Sequence, residues 1–163
     1  MFKPKFPPRF AQFIAAGFVG TMAFEVLMTA APMFGAPVIN VALWDGSFLT
    51  LNLKFATITG LVIEIAFGTI LAYLYHNWIT THLQGPYWQK GLFFGVVLWG
   101  GVMIFGLPVF DHISPLVNNG LMLAPGLFAR NFGQPTALIF LAALWGFTLP
   151  LSYLDDRWGK NPA

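Results

Sequence analysis

Apolar positions along this chain gather into four long runs, Phe10 to Pro32, Phe55 to Tyr75, Gly91 to Val109 and Thr136 to Leu154. A hydrocarbon core about 30 Å thick takes about 20 apolar helical residues to cross. Each run therefore predicts one transmembrane helix. The predicted fold class is all-α, an integral membrane bundle of four helices that forms a single transmembrane domain over residues 1–163. Glu25 and Glu64 are the only formally charged side chains inside the runs, whereas Lys54, Lys90, Asp111, Arg130 and Asp155 fall in the flanks. Basic residues ahead of the first run resemble the start of a signal peptide. The run is longer than a signal-peptide core and carries Glu25, so it predicts a retained helix.

Within the first two runs the small and polar positions recur every four residues, a spacing that keeps side chains on one helix face. The first run gives Gly17, Thr21, Glu25 and Thr29, and the second gives Ala56, Gly60, Glu64, Gly68 and Ala72, with His76 beyond. Small residues let backbones approach where lipid supplies no hydrophobic drive, and hydroxyls can bond across the gap. The two faces are expected to meet, with Gly17, Thr21, Thr29, Gly60 and Gly68 as packing positions. At 1.5 Å per residue, Glu25 and Glu64 lie roughly 10 and 13 Å from the same end of their helices, near level in an antiparallel pair. Two carboxylates this close, with no base inside a run, cannot both ionise cheaply. Thr21 and Thr29, one turn to either side of Glu25, are candidate hydrogen-bond partners. Two readings are open: a proton- or cation-handling pair, or neutral hydrogen bonds that tie helices together.

Composition narrows the class. Of 163 residues, 8 are Lys or Arg and 6 are Asp or Glu, so 9% are charged while 57% are apolar. That is far below the roughly 25% charge of a soluble domain, and the mean hydropathy is +0.70. A water-soluble globule, a disordered chain and a nucleic-acid binder are all excluded by so few charges. No cysteine is present, which removes thiol chemistry and Cys-ligated metals. The basic residues set the expected orientation. Lys3, Lys5, Arg9, Lys90, Arg157 and Lys160 fall on the side of the termini, and only Lys54 and Arg130 on the other, which predicts cytoplasmic termini. Trp78, Trp88 and Trp158 are expected at the cytoplasmic interface and Trp44 at the opposite one.

The loops Met33 to Lys54 and Phe110 to Pro135 are long and apolar, with Trp44, Phe48, Leu121, Leu123 and Phe128 among their residues. They are expected to lie on the membrane, tuck between helices or meet a partner. A shift of 78 residues lays Gly17 on Gly95, Val19 on Val97, Gly68 on Gly146, Leu71 on Leu149 and Tyr75 on Tyr153. That offset suggests two repeated helical hairpins, although matches among apolar residues also arise by chance. The histidines His76, His82 and His112 fall at or beyond the ends of the runs, and none sits inside one. His76 is the one candidate ligand for a haem or pigment near the inner edge, while no histidine pair has the spacing of a metal motif. Patterns for nucleotide binding, hydrolytic nucleophiles and zinc proteases are absent.

The segments AAGFVGTMAFEVLMTAAPMFGAP, GLVIEIAFGTILAYLY, KGLFFGVVLWGGVMIFGLPVF and GLFARNFGQPTALIFLAALWG together resemble a family of small four-helix bacterial inner-membrane proteins. The likeness lies in Gly, Pro and apolar positions, so it implies the four-helix fold, no activity and no functional residue. The expected function is that of a noncatalytic accessory subunit in a larger membrane complex, respiratory or photosynthetic, with the bilayer and other membrane subunits as partners. The alternatives are a small proton-linked transporter or channel using Glu25 and Glu64, and a quinone or pigment site lined by some of the 18 Phe. Bound lipid, quinone or pigment are the cofactors these readings allow.

Overall fold

The computed structural model describes residues 9–160; Lys3 and Lys5, counted above for orientation, lie outside them. The described elements are all helical: α1 (Phe10–Thr29), α2 (Val41–Gly46), α3 (Leu53–His82), α4 (Tyr87–Ile113), α5 (Pro115–Asn118) and α6 (Pro135–Lys160), with 3-10 turns at Ala31–Phe34 and Leu127–Phe132. Four of them, α1, α3, α4 and α6, are long and apolar enough to cross a membrane, as the runs predict.

Their ends differ from the runs for identifiable reasons. α1 stops at Thr29 and not at Pro32, because the chain tightens into a 3-10 turn that Gly35 closes in a left-handed conformation at φ 83°. α3 continues past Tyr75 to His82 although its last turns are polar. There the side chains bond back onto the helix, Asn77 to the Tyr73 carbonyl at 2.8 Å and Thr81 to the Asn77 carbonyl at 2.9 Å. Polarity that reads as loop is thus satisfied within the helix. α4 starts at Tyr87, directly after Pro86, and ends at Ile113 ahead of Ser114 and Pro115. Two single π-helical turns interrupt the long helices, Tyr75–Ile79 in α3 and Val102–Gly106 in α4. The second stands just before Pro108, whose missing N–H and bulky ring the wider turn accommodates.

α1 and α6 pack along one another, α3 covers the far side of α1, and α4 covers the far side of α6. α3 and α4 approach each other chiefly near the termini side, where the Tyr75 and Phe94 rings lie 5.5 Å apart. Indole N–H groups tie α4 to α6: Trp99 donates to the Ala137 carbonyl at 2.7 Å and Trp145 to the Leu92 carbonyl at 3.2 Å.

On the loop side the chain caps the bundle with its own apolar residues. Trp44 of α2 is only 6% exposed and stacks on Phe110 at 5.1 Å, with Phe132 at 5.8 Å. The expected interfacial tryptophan is packed into this cap, because α2 turns inward and places its ring between the two long loops and the helix ends. Asp111 holds the second loop by accepting from the Gly126 N–H at 2.9 Å. Phe48, Leu121, Leu123 and Phe128 remain exposed.

The 78-residue offset has a limited counterpart in the packing. Gly17 presses on the backbone of α3 and Gly95 on Trp145 and Thr148 of α6, so each hairpin closes on a glycine. The chemistry is not repeated, since the offset places Met103 opposite Glu25 and Ala142 opposite Glu64.

Candidate carboxyl site

Small residues bring α1 and α3 to backbone contact. A Cβ on Gly17 would stand 2.5 Å from the Thr69 nitrogen, and one on Gly68 would stand 2.7 Å from Thr21 Oγ1. This closeness sets Glu25 and Glu64 opposite each other within hydrogen-bonding reach. No N–H or O–H of the described residues donates to the buried Glu25 Oε1 or to either oxygen of Glu64, which is 8% exposed. A hydrogen bond between the two carboxyls closes only when the pair holds a proton.

The hydroxyls do not serve this pair. Thr21 Oγ1 donates to the backbone carbonyl of Glu64 at 3.4 Å, and Thr29 is exposed. A four-residue step overshoots the helical repeat by about 40°, so three steps carry Thr29 about 120° away from Gly17. On α3 the same drift leaves Ala56, Gly60, Glu64, Gly68 and Ala72 all buried. There the partner changes along the helix. α2 covers Ala56 and Gly60, α1 covers Gly68, and Asp155 of α6 meets His76.

α2 adds a third carboxyl, Asp45, that the sequence reasoning missed. Its neighbours Ala42 and Gly46 lie against Ala56 and Gly60 so tightly that a Cβ on Gly46 would fall 1.7 Å from the Ala56 carbonyl oxygen, and one on Gly60 1.6 Å from that of Ala42. Two small pairs at four-residue spacing, one in each segment, were the available signal. The Asn40 side chain starts α2 by accepting from the Leu43 N–H at 2.8 Å. Burial, and then the negative charge of Glu25, push the Asp45 carboxyl up from 3.8 to about 6.

A pH dependence follows with a definite sign. The folded chain holds the Asp45 proton more tightly than the unfolded chain, so this group favours folding most at low pH and its contribution falls as pH rises from about 4 to about 6. Carbon-13 resonances of labelled Asp45 in lipid nanodiscs should titrate with a midpoint near 6. A midpoint at the ordinary aspartate value would show that α2 does not hold Asp45 against the bundle.

Beside these carboxyls lies an open groove of about 250 Å³ that all four long helices and α2 help to line. Asp45 and Glu64 face it, Phe24, Phe67 and Phe147 form much of its apolar wall, and Val102 contributes the first residue of the α4 π turn. No basic residue among those described lines it. Single π turns recur where helices bend around a functional site.

A second, polar cavity of about 230 Å³ opens on the termini side among Tyr75, Tyr87, Lys90, Ser152, Asp155 and Asp156. His76 stands at its edge. Arg9 donates to His76 Nε2 at 2.6 Å, which leaves the ring proton on Nδ1 to be donated to Asp155 Oδ1 at 2.7 Å. Both ring nitrogens are engaged, so His76 offers no free lone pair to a haem or pigment. Its role in the structure is to join the ends of α1, α3 and α6. Among the described residues no group of three or more His, Asp or Glu is placed to hold a metal ion.

Comparison of the chain with protein families, curated proteins and solved structures finds no match. The functional reading therefore rests on the geometry.

Proposed function

We propose that this chain is a multi-pass protein of a bacterial inner membrane that moves protons through Glu25, Asp45 and Glu64, as a small proton-linked transporter or channel. One observation carries the reading: a buried Glu64, to which no N–H or hydroxyl of the described residues donates, pairs with the Glu25 carboxyl beside an open groove that Asp45 also lines. Ionisable groups inside a membrane are costly and usually serve a pathway. Asp45, on a short helix at the loop side, offers an exchange partner between Glu64 and that surface.

The accessory-subunit reading has its own support in the exposed apolar cap. Met33 is 86% exposed, Val38 85% and Leu123 63%, and apolar surface of this kind often meets a partner. The two readings are compatible, since a proton-conducting chain can sit within a larger assembly.

Reconstituted into liposomes with an internal pH dye, the protein should acidify the lumen when a potassium–valinomycin potential drives positive charge inward. Lumenal pH indistinguishable from that of protein-free vesicles would leave the accessory-subunit reading in its place. Orientation has a separate test, based on the six-to-two bias of basic residues towards the termini side. In intact bacteria a membrane-impermeant maleimide should label single cysteines at the exposed positions Leu49 and Leu121 and spare one at Gln84. The reverse pattern would place the termini outside.

A further inference from the structure

The geometry points to a lipophilic organic cation, an ammonium or phosphonium carried on aromatic or alkyl groups, as the occupant of the groove beside Glu64. This inference rests on the proton-handling reading and names the substrate class of that same site.

Charge selects the sign of the ligand. Asp45 and Glu64 line the groove, Glu25 pairs with Glu64, and no Lys, Arg or His among the described residues lines it. α4 contributes Val102 there, and α6 contributes Leu144 and Phe147, so neither adds a titratable group. An anion would meet two carboxyls. A neutral apolar molecule would fill the space without answering the charge of either carboxylate. A small inorganic cation would need a shell of oxygen ligands, and no three acidic or histidine side chains of the described residues are placed to begin one.

A lipophilic cation fits on each count. Its charge answers the carboxylate without requiring hydrogen bonds, and the rings of Phe24, Phe67 and Phe147 suit both its apolar groups and its charge. The space of about 250 Å³ lies just under the roughly 300 Å³ at which enclosed pockets for drug-sized ligands begin. A compact cation would therefore seat with one face towards the lipid. Exchange balances in charge: one monovalent cation enters as one proton leaves the carboxyl pair, and a proton returning to the pair expels the cation.

The test uses the full chain in nanodiscs with tetraphenylphosphonium as the probe and triphenylphosphine oxide as its neutral counterpart, bound amounts being read by equilibrium dialysis. Tetraphenylphosphonium should bind saturably, release one proton per cation into weak buffer, and lose about tenfold in affinity for each pH unit below the titration of the pair. Glu64→Gln should weaken it at least about tenfold, and Asp45→Asn by a smaller factor, because full charge pairing in an apolar site is worth more than a partly exposed one. Asp45→Asn lies outside the spans and keeps the test open if Glu64→Gln does not fold. Equal binding of the phosphine oxide with no proton release would overturn the inference and assign the groove to a neutral lipid or quinone. Glu64-dependent proton flux without tetraphenylphosphonium binding would overturn the substrate class alone. Absence of both would overturn the proton-handling reading as well.

Discussion

Glu64→Gln should reduce proton movement to that of empty vesicles while leaving the fold intact. The amide matches the carboxyl in shape but cannot gain or lose a proton at accessible pH, so any step that passes a proton through this position stops. Stability should change by less than about 1 kcal/mol, the scale of polar contacts inside membrane bundles. Glu64→Leu measures what the shared proton is worth to the packing. If Glu64 tied α1 to α3 by a hydrogen bond, Leu would loosen the bundle by on the order of 1 kcal/mol. Glu25 is the partner the structure gives Glu64, through the proton the pair shares, so Leu should cost no more than that single bond while stopping flux as Gln does. Thermal unfolding in nanodiscs, read beside flux in liposomes, decides. Retained flux in Glu64→Gln would remove this residue from the pathway.

Gly60→Val should produce the largest loss of stability, because a side chain there meets backbone and not another flexible side chain. The Ala42 carbonyl occupies the space a Cβ would need, so α2 must move away from α3 as a unit. Overpacking of this kind costs about 1–3 kcal/mol. Displacement of α2 also removes Asp45 from the bundle, and its titration should fall from about 6 back towards 3.8. Gly46→Ala attacks the same contact from the other side and should have the same two effects. The double variant should cost less than the sum of the singles, since one displacement relieves both clashes. Unfolding curves of the three variants and the Asp45 titration check this. A Gly60→Val protein of normal stability would mean that α2 does not dock as described.

Much of this arrangement is legible in the sequence because the membrane imposes simple rules. Runs of apolar residues located α1, α3, α4 and α6, and the stripe from Ala56 to Ala72 located the packed face of α3. Where inference from the residues fell short, the cause was a partner not visible from within one helix. Thr29 shares the spacing of Gly17 and Thr21, yet nothing follows its drift around α1. Asp45 sits in a long apolar loop with no periodic pattern to orient it, and only the docking of α2 on Gly60 turns it towards Glu64. Trp44 looked like an interfacial ring because its neighbours Phe110, Phe132 and Phe140 lie far away in sequence. His76 was noted for its nitrogens, and both are engaged by residues from opposite ends of the chain.

The central claim, that Glu64 belongs to a carboxyl group cluster which takes up and releases a proton, is tested most directly by infrared difference spectroscopy of the protein in nanodiscs. On a step from about pH 10 to about pH 5, spanning the range into which buried carboxyls are raised, wild type should gain carboxylic C=O absorbance that shifts in heavy water and is diminished in Glu64→Gln. An identical difference spectrum in wild type and Glu64→Gln would contradict the account.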